Sequence, residues 1–163
     1  MHNMDAANTM PGDGNVSMVN GTTTENDAVR ATSPLDMQEK SETMRRILVV
    51  EDDPSLAQLE ASYLTACHYS VAVASTGELA ITALSDFSPD LVVLDLELPG
   101  GLSGWDVLQA LRTKARIPVL VTTSLTQDVR KHIRSNGENR STLDHLPKPY
   151  PMQTLLRRIK RML

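Results

Sequence analysis

The sequence predicts an α/β fold in which five βα units form one parallel sheet with helices on both faces. Short aliphatic runs alternate along the chain with segments whose apolar residues recur at helical spacing, and such alternation is typical of parallel sheets. Within the runs the apolar residues are continuous, as expected for strands buried on both faces. In this architecture ligands bind outside the carboxyl ends of the strands, so a functional site is expected there.

Three strands and two helices are predicted in the first half of the ordered chain. The strands are the aliphatic runs at residues 47–50, 71–74 and 91–94. Asp53 and Pro54 predict the start of the first helix, because aspartate caps helix N-termini and proline suits the first helical position. The apolar residues that follow at helical spacing are Leu56, Leu59, Tyr63 and Ala66. Residues 75–78 (STGE) have capping-box spacing and predict the start of the second helix. Its apolar residues are Leu79, Ala80, Ala83, Leu84 and Phe87.

The second half of the chain holds two strands and three helices by the same criteria. After a loop at residues 98–101, the third helix is marked by Trp105, Leu108 and Leu111. A fourth strand is predicted at residues 118–121. Residues 126–135 are polar and predict a poor fourth helix, and residues 145–146 predict at best a short fifth strand. The last helix presents an apolar face formed by Met152, Leu155, Leu156 and Ile159.

Residues 1–44 differ in composition from the remainder of the chain. They contain no Ile, Phe, Trp or Tyr and hold seven acidic and two basic side chains, which gives a net charge of −5. Such a segment buries too little apolar surface to offset the entropy lost on ordering. We therefore predict a disordered N-terminal tail over residues 1–44 and one ordered domain over residues 45–163.

The composition also argues against several function classes. In residues 45–163, thirteen acidic and fourteen basic side chains give a net charge of +1, which offers no electrostatic case for direct DNA binding. No apolar run approaches the ~18 residues of a membrane span, and the N-terminus lacks the layout of a secretory signal. The single cysteine, Cys67, excludes an internal disulfide and a Cys-based zinc site. We expect a cytoplasmic protein without membrane contact.

One basic cluster lies on the predicted last helix, and it has two interpretations. It consists of Arg157, Arg158, Lys160 and Arg161. Cations suit the C-terminal end of a helix, so the cluster is explained by a solvated helix face. The alternative is a surface on which a partner protein docks.

Charged and hydroxyl side chains follow four of the five predicted strands. Glu51, Asp52 and Asp53 follow the first strand, Asp95 the third, Thr123 and Ser124 the fourth, and Lys148 the fifth. Because the carboxyl ends of parallel strands share one edge of the sheet, these side chains should converge, although they span almost a hundred residues of sequence.

The predicted group of carboxylates indicates a cation site. Carboxylates a few ångströms apart repel by on the order of several kcal/mol per pair, and Mg²⁺ relieves this because it takes one or two carboxylates and bridges to phosphate oxygens. Asp95 is then a candidate nucleophile toward phosphorus, with Lys148 and the Thr123 hydroxyl stabilising the transferring oxygens. Asp53 is better explained as a helix cap than as a ligand, because Pro54 follows it.

Four stretches of the sequence resemble the receiver domain of bacterial response regulators. They are residues 47–54 (ILVVEDDP), 89–99 (PDLVVLDLELP), 118–124 (PVLVTTS) and 148–150 (KPY). The resemblance covers residues 45–163 and implies a flavodoxin-like fold, which is a doubly wound parallel sheet with strand order 2-1-3-4-5. It also implies two-component signalling, in which a sensor histidine kinase or a histidine phosphotransfer protein donates a phosphoryl group to an aspartate.

The resemblance assigns the phosphoacceptor and the metal ligands by position. Asp95 matches the phosphorylated aspartate. Asp52 and Asp95, together with the backbone carbonyl of Glu97, would bind Mg²⁺, and Glu51 would act largely through water.

Three further residues match the part of the family site that contacts the phosphoryl group. Thr123 matches the switch hydroxyl, Ser124 the small residue that leaves room beside it, and Lys148 the phosphate-binding lysine. A domain of this kind is not an enzyme beyond its own phosphorylation and slow dephosphorylation. It signals by contact with a downstream protein, and a dimer through the fourth helix, fifth strand and fifth helix is one arrangement that the resemblance allows.

The sequence departs from the family pattern at three places. The loop at residues 99–104 is one residue longer, and the segment at 138–142 lengthens the connection before the fifth strand by about four residues. His145 stands where the family often has Tyr or Phe. Two interpretations of His145 remain open, a half-exposed histidine that fills the same space and a switch with some pH sensitivity.

Four hypotheses about function remain. The first is a stand-alone receiver with no output domain in this chain, and the second is a fragment of a larger regulator. The third is a pseudo-receiver, a binding module that is not phosphorylated; the full set of acids, Thr123 and Lys148 argues against it. The fourth is a phosphatase of the haloacid-dehalogenase type, because residues 95–97 loosely resemble an Asp-x-Asp motif. It is disfavoured because the second acid is Glu97 and the acidic pair lies on the first strand.

Overall fold

The computed structural model describes residues 43–114 and 116–163 of the chain. Strands and helices alternate in this part of the chain. They are β1 (Arg46–Val50), α1 (Pro54–Ala66), β2 (Ser70–Ala74), α2 (Gly77–Asp86), β3 (Leu91–Asp95), α3 (Gly104–Lys114), β4 (Val119–Thr123), α4 (Thr126–Ser135), β5 (Leu143–Pro147) and α5 (Met152–Met162). The disordered tail predicted at residues 1–44 lies, except for its last two residues, outside the described ranges. None of the helices in those ranges combines the length and apolar character needed to cross a membrane.

The five strands form one parallel sheet in the order β2-β1-β3-β4-β5. This arrangement confirms the predicted flavodoxin-like, doubly wound α/β fold. The register places Val50 beside Leu94 and Asp95 beside Thr122, so the three central strands end at similar levels. The chain leaves β1 and β3 toward opposite sides of the sheet, and this opens a crevice at their carboxyl ends.

Two aliphatic layers cover the sheet, because successive residues of a strand point to opposite faces. Leu48 and Val50 of β1 pack in one layer with residues of α2, α3 and α4. Ile47 and Val49 pack in the other layer with residues of α1 and α5. Burying one Val, Leu or Ile side chain contributes about 1.5–3 kcal/mol, so these layers fix the positions of the strand ends.

Helix α1 begins as predicted but buries a different face. The Asp53 carboxylate caps it by accepting hydrogen bonds from the backbone N–H groups of Ser55 at 2.8 Å and Leu56 at 3.0 Å. Leu59, one of its predicted apolar positions, is 53% exposed. The buried residues are Ala57, Glu60 and Leu64. Neighbouring helical residues point about 100° apart, so only one such stripe can face the sheet.

Helix α2 begins one residue later than the predicted capping box implies. The cap is Thr76, whose backbone is extended and whose hydroxyl accepts a hydrogen bond from the N–H of Leu79 at 3.3 Å. A box over residues 75–78 would have used Ser75 as the cap. The extended conformation at Thr76 excludes it from the helix, and this decides between the two hydroxyl residues.

The fifth strand is longer than predicted. It pairs with β4 along all five of its residues, although only residues 145–146 were predicted to be extended. Asp144 interrupts the apolar pattern at a position that is 2% exposed. Its Oδ2 accepts a hydrogen bond from Arg158 at 2.8 Å and another from Arg161. These two cations on α5 compensate the buried charge and permit the strand.

The lengthened segment at residues 138–142 is anchored to α3 by Arg112. The Arg112 guanidinium binds the Glu138 carboxylate at 2.5 Å and donates to the carbonyl oxygens of Ile117 and Thr142, each at 3.0 Å. The Thr142 hydroxyl donates to Glu138 at 2.6 Å. Burial opposes ionisation of Glu138, but these hydrogen bonds outweigh it and lower its pKa. The insertion is therefore tied to the domain by an ionised carboxylate.

Candidate functional site

The predicted acidic residues converge at the carboxyl end of the sheet. Glu51 and Asp52 directly follow β1, and Asp95 ends β3. One carboxylate oxygen from each of the three lies within 4.8 Å of the others. Glu51 and Asp95 are each 2% exposed, whereas Asp52 is exposed to solvent. A ligand can therefore approach this group from the side of Asp52.

Lys148 joins the two buried acids from the end of β5. Its Nζ donates to Asp95 Oδ2 at 2.6 Å and to Glu51 Oε2 at 2.8 Å. Burial alone would lower the pKa of Lys148, but these hydrogen bonds and the two negative charges outweigh burial and raise it. Lys148 is therefore a fixed cation at neutral pH.

The surroundings of Glu51 shift the pKa of its carboxyl in both directions. Burial raises the pKa of the Glu51 carboxyl, and the nearby charge of Asp95 raises it further. Lys148 opposes this shift with a hydrogen bond and a positive charge, but the net direction is upward. A second cation among these carboxylates would favour ionised Glu51 and lower the repulsion.

The donor set suits a hard divalent cation. Mg²⁺ takes one or two carboxylates and keeps several waters, and this group offers three carboxylates within reach of one ion, of which one faces solvent. Asp53 does not join them, because its side chain caps α1 as predicted. Of the predicted metal ligands, Glu51, Asp52 and Asp95 are thus brought together.

Thr123, the last residue of β4, and Glu97, on the loop after β3, border the site. The Thr123 side chain is fully buried, its hydroxyl accepts a hydrogen bond from the N–H of Leu125 at 2.9 Å, and its carbonyl accepts one from the N–H of Lys148 at 3.1 Å. The N–H of Glu97 donates to Asp95 Oδ1 at 2.9 Å, and its carboxylate accepts from the N–H of Ser124 at 3.2 Å. These bonds connect the loops after β3, β4 and β5.

Gly104 is a site residue that the sequence analysis missed. A Cβ atom at this position would lie 2.2 Å from the carbonyl oxygen of Asp95 and 2.5 Å from the Cα of Leu96. Only glycine therefore allows the first turn of α3 to pack against the end of β3. The loop at residues 99–104 was identified only by its extra length. The signal available in the sequence was a glycine directly before the apolar face of a helix.

His145 lies half-buried on β5 among arginines of neighbouring elements. Burial lowers the pKa of its imidazole, and Arg130, Arg158 and Arg140 lower it further against the opposing charge of Asp144. The imidazole is therefore neutral near pH 7. This favours the interpretation of His145 as a space-filling residue over that of a switch that titrates near neutrality.

The arrangement brings together groups of the kinds that phosphoryl transfer uses. Asp95 presents a buried carboxylate, the three acids together offer ligands for a cation, and Lys148 holds a fixed positive charge beside Asp95. These are the components that phosphoryl transfer requires, since such transfer depends on positioning and on neutralisation of oxygen charge.

A family model and individual protein sequences that resemble this chain agree with each other. The family model described as the response regulator receiver domain matches residues 47–160. The DNA-binding response regulator MtrA of Mycolicibacterium smegmatis is 38% identical over 125 residues, which cover 75% of this chain and 52% of that protein. The transcriptional regulatory protein BaeR of Escherichia coli is 32% identical over 122 residues, with coverage of 75% and 49%. The chain thus spans about half the length of these relatives.

Solved structures give the same result. The BeF3-activated receiver domain of RstA from Klebsiella pneumoniae superposes with a TM-score of 0.62 and 34% identity, and the match covers 72% of this chain and 97% of that one. The receiver domain of the sensor histidine kinase PA1611 from Pseudomonas aeruginosa, solved with a magnesium ion coordinated in its active-site cleft, has a TM-score of 0.62 and 26% identity, with coverage of 73% and 97%.

Proposed function

This chain belongs to the response regulator receiver domain family, and on that premise we propose that Asp95 accepts a phosphoryl group in a two-component phosphorelay. The donor is a sensor histidine kinase or a histidine phosphotransfer protein. The observation that carries the proposal is the contact of Lys148 with Asp95 at 2.6 Å beside three clustered carboxylates. This arrangement supports the proposal because it brings the Asp95 carboxylate, a fixed cation and a group of carboxylates that could hold a metal close together.

In the proposed reaction a carboxylate oxygen of Asp95 forms a bond to phosphorus. The bond from phosphorus to the donor's histidine nitrogen breaks, and that nitrogen keeps the electron pair. The ammonium group of Lys148 neutralises negative charge on the oxygens of the transferring phosphoryl group. The Thr123 hydroxyl donates a hydrogen bond to one of these oxygens. Asp52, Asp95 and the backbone carbonyl of Glu97 would hold Mg²⁺, with Glu51 acting through water, and the bound ion would supply neutralisation of the remaining oxygen charge.

Two alternative functions receive less support. A pseudo-receiver would have no need for a half-buried lysine bound to two buried acids, because burying such charges costs free energy. A phosphatase of the haloacid-dehalogenase type would need Glu97 at the acidic group as a second acid. The Glu97 carboxylate instead accepts a hydrogen bond from the N–H of Ser124.

We expect one phosphoryl group per chain after incubation with acetyl phosphate and Mg²⁺, measured by intact-protein mass spectrometry. Asp95→Asn should form no adduct, because the amide is not a nucleophile toward phosphorus. Asp86→Asn, at an exposed acid that ends α2, should label as the wild type does. Removal of Mg²⁺ with a chelator should also abolish labelling. An adduct in Asp95→Asn would sink the proposal, and steady turnover of small phosphate esters would favour the phosphatase.

We further propose that the face formed by α4, β5 and α5 contacts the downstream protein. A concavity on this face is lined by Arg130, Ile133, Arg134, Arg140, Asp144 and His145. The Asp144 charge is already compensated by Arg158 and Arg161, so the face is strongly positive. A symmetric dimer would place these cations opposite each other, which costs free energy. The charge distribution therefore favours an acidic partner surface over a second copy of the chain.

On this basis we expect the phosphorylated protein to remain monomeric at low ionic strength, where like-charge repulsion is screened least. Sedimentation equilibrium over a concentration series, with and without acetyl phosphate and Mg²⁺, measures this. A dimer that becomes tighter as salt is lowered would contradict the proposed repulsion and would support self-association through an oppositely charged surface.

A further inference from the structure

A buried polar cluster lies behind the acidic site, in the layer between the sheet and helices α1 and α5. It consists of Glu60 on α1, Thr122 on β4 and Tyr150 after β5. Glu60 is fully buried, and the Tyr150 hydroxyl donates to its Oε1 at 2.6 Å. In the described part of the chain, the only buried side-chain polar atoms without a hydrogen-bond partner are Glu60 Oε2 and Thr122 Oγ1. A buried polar atom without a hydrogen bond lowers the stability of the fold, so the presence of two such atoms in one cluster needs an explanation.

The cluster adjoins the backbone of two site residues. Thr122 directly precedes Thr123, and Tyr150 is two residues beyond Lys148. The hydrogen bond from Tyr150 links the segment after β5 to Glu60 of α1, and it is the one side-chain hydrogen bond that the Glu60 carboxyl accepts in the described part of the chain. Glu60 is therefore hydrogen-bonded to a residue that lies two positions beyond Lys148.

The charge of the Glu60 carboxyl is adjustable near neutral pH. Burial raises its pKa to about 7, against the hydrogen bond from Tyr150, which lowers it. The charges that reach it from other elements are Glu51 after β1 and Asp95 at the end of β3, which raise the pKa, and Lys148 after β5, which lowers it. Burial and the nearby Glu60 charge raise the pKa of Tyr150 far above its usual range, so the phenol stays a neutral donor.

We propose that Glu60 is a positioning residue for the phosphoacceptor site, whose ionised carboxylate holds Tyr150 and thereby the Lys148 segment, and whose protonation loosens that hold. A hydrogen bond to an ionised acceptor is roughly twice as strong as one to a neutral acceptor. Lys148 is therefore held more firmly above the pKa of Glu60 than below it. This inference rests on the proposed phosphoacceptor function and adds proton control to that same site.

The expected result is a rate of Asp95 phosphorylation that rises about threefold to fivefold as the pH increases from 6 to 8, in line with the gain from a charge-assisted hydrogen bond. Glu60→Gln should abolish this rise, because glutamine keeps a carbonyl acceptor of the same reach but does not titrate. Its rate should stay near the wild-type rate at pH 6. Titration of acetyl phosphate and of His145 contributes equally to both proteins and cancels in their ratio.

Two further variants complete the test. Glu78→Gln changes an exposed glutamate at the start of α2, whose pKa is lowered and so lies far from neutrality, and it should keep the wild-type pH profile. Tyr150→Phe removes the donor and should also lose the pH dependence. A Glu60→Gln profile that follows the wild type overturns the inference, whereas a wild type that takes no phosphoryl group at any pH overturns the proposed function instead.

Unfolding measurements follow the titration of Glu60 without any phosphodonor. The folded-state pKa of about 7 lies above the ordinary value of 4.5 that a glutamate has in an unfolded chain. The Glu60 contribution to stability is therefore fully present below the unfolded pKa and is lost as pH rises through about 7. The melting temperature of Glu60→Gln relative to that of the wild type should consequently increase as the pH rises from 5 to 8. A constant difference across that range would show that Glu60 does not titrate there and would overturn the inference.

Discussion

Lys148→Met should slow phosphorylation of Asp95 by about 10² to 10³, the loss typical of removing one donor to a developing oxyanion. The same change should lower the free energy of unfolding by about 3 kcal/mol when no divalent cation is present. Both effects have one cause, because Lys148 Nζ is bound to Asp95 and Glu51, and each of these acids is 2% exposed. Methionine fills a similar volume but leaves two buried carboxylates facing each other.

The rate is measured with acetyl phosphate and Mg²⁺, and the stability by urea unfolding with and without Mg²⁺. Lys131→Met removes an exposed lysine on α4 and should change neither. Mg²⁺ should stabilise Lys148→Met more than it stabilises the wild type, because the cation replaces part of the missing positive charge. A variant with wild-type stability in the absence of metal would show that the three side chains do not depend on one another as the distances indicate.

The parts of this fold that sequence could predict are those in which local pattern and burial agree. The runs at residues 47–50 and 91–94 are aliphatic throughout because both faces of these strands are covered, and the acids that follow them are therefore conspicuous. The same reasoning predicted that Lys148 lies at the carboxyl edge of the sheet, although the apolar pattern of the strand before it is weak. Its position depends on the parallel topology and not on the local pattern.

The fifth strand was underpredicted because its stability comes from residues distant in sequence. Asp144 occupies a buried position, and a local pattern assigns an aspartate to a loop. The cations that compensate it, Arg158 and Arg161, lie on the last helix. Those arginines belong to the basic cluster whose two interpretations remained open, and the structure gives two of its members an intramolecular role.

Glu60 was overlooked for a related reason. On α1 the exposed Leu59 and the buried Glu60 are adjacent, so a pattern that places leucine in the core selects the wrong stripe of the helix. The partner that makes burial of this carboxyl tolerable, Tyr150, lies 90 residues away. Pairings of this kind are properties of the tertiary structure and leave no local signal.

Gly104→Ala should damage both folding and phosphorylation, because the added methyl group collides with backbone and not with a side chain that can move away. The distances of 2.2 Å to the Asp95 carbonyl oxygen and 2.5 Å to the Leu96 Cα require α3 or the end of β3 to shift. Overpacking of this severity costs about 3 kcal/mol, which lowers the melting temperature by roughly 10 °C for a domain of this size. A shift of about 1 Å at Asp95 costs on the order of 10² in rate.

Gly101→Ala is the matched control, since the new Cβ there would meet only the flexible Glu78 carboxylate at 3.1 Å. Its melting temperature and labelling rate should stay close to those of the wild type. Gly104→Ser should be at least as damaging as Gly104→Ala, because serine carries the same Cβ. If Gly104→Ala melts and labels as the wild type does, the first turn of α3 has room to move, and Gly104 does not fix the position of Asp95.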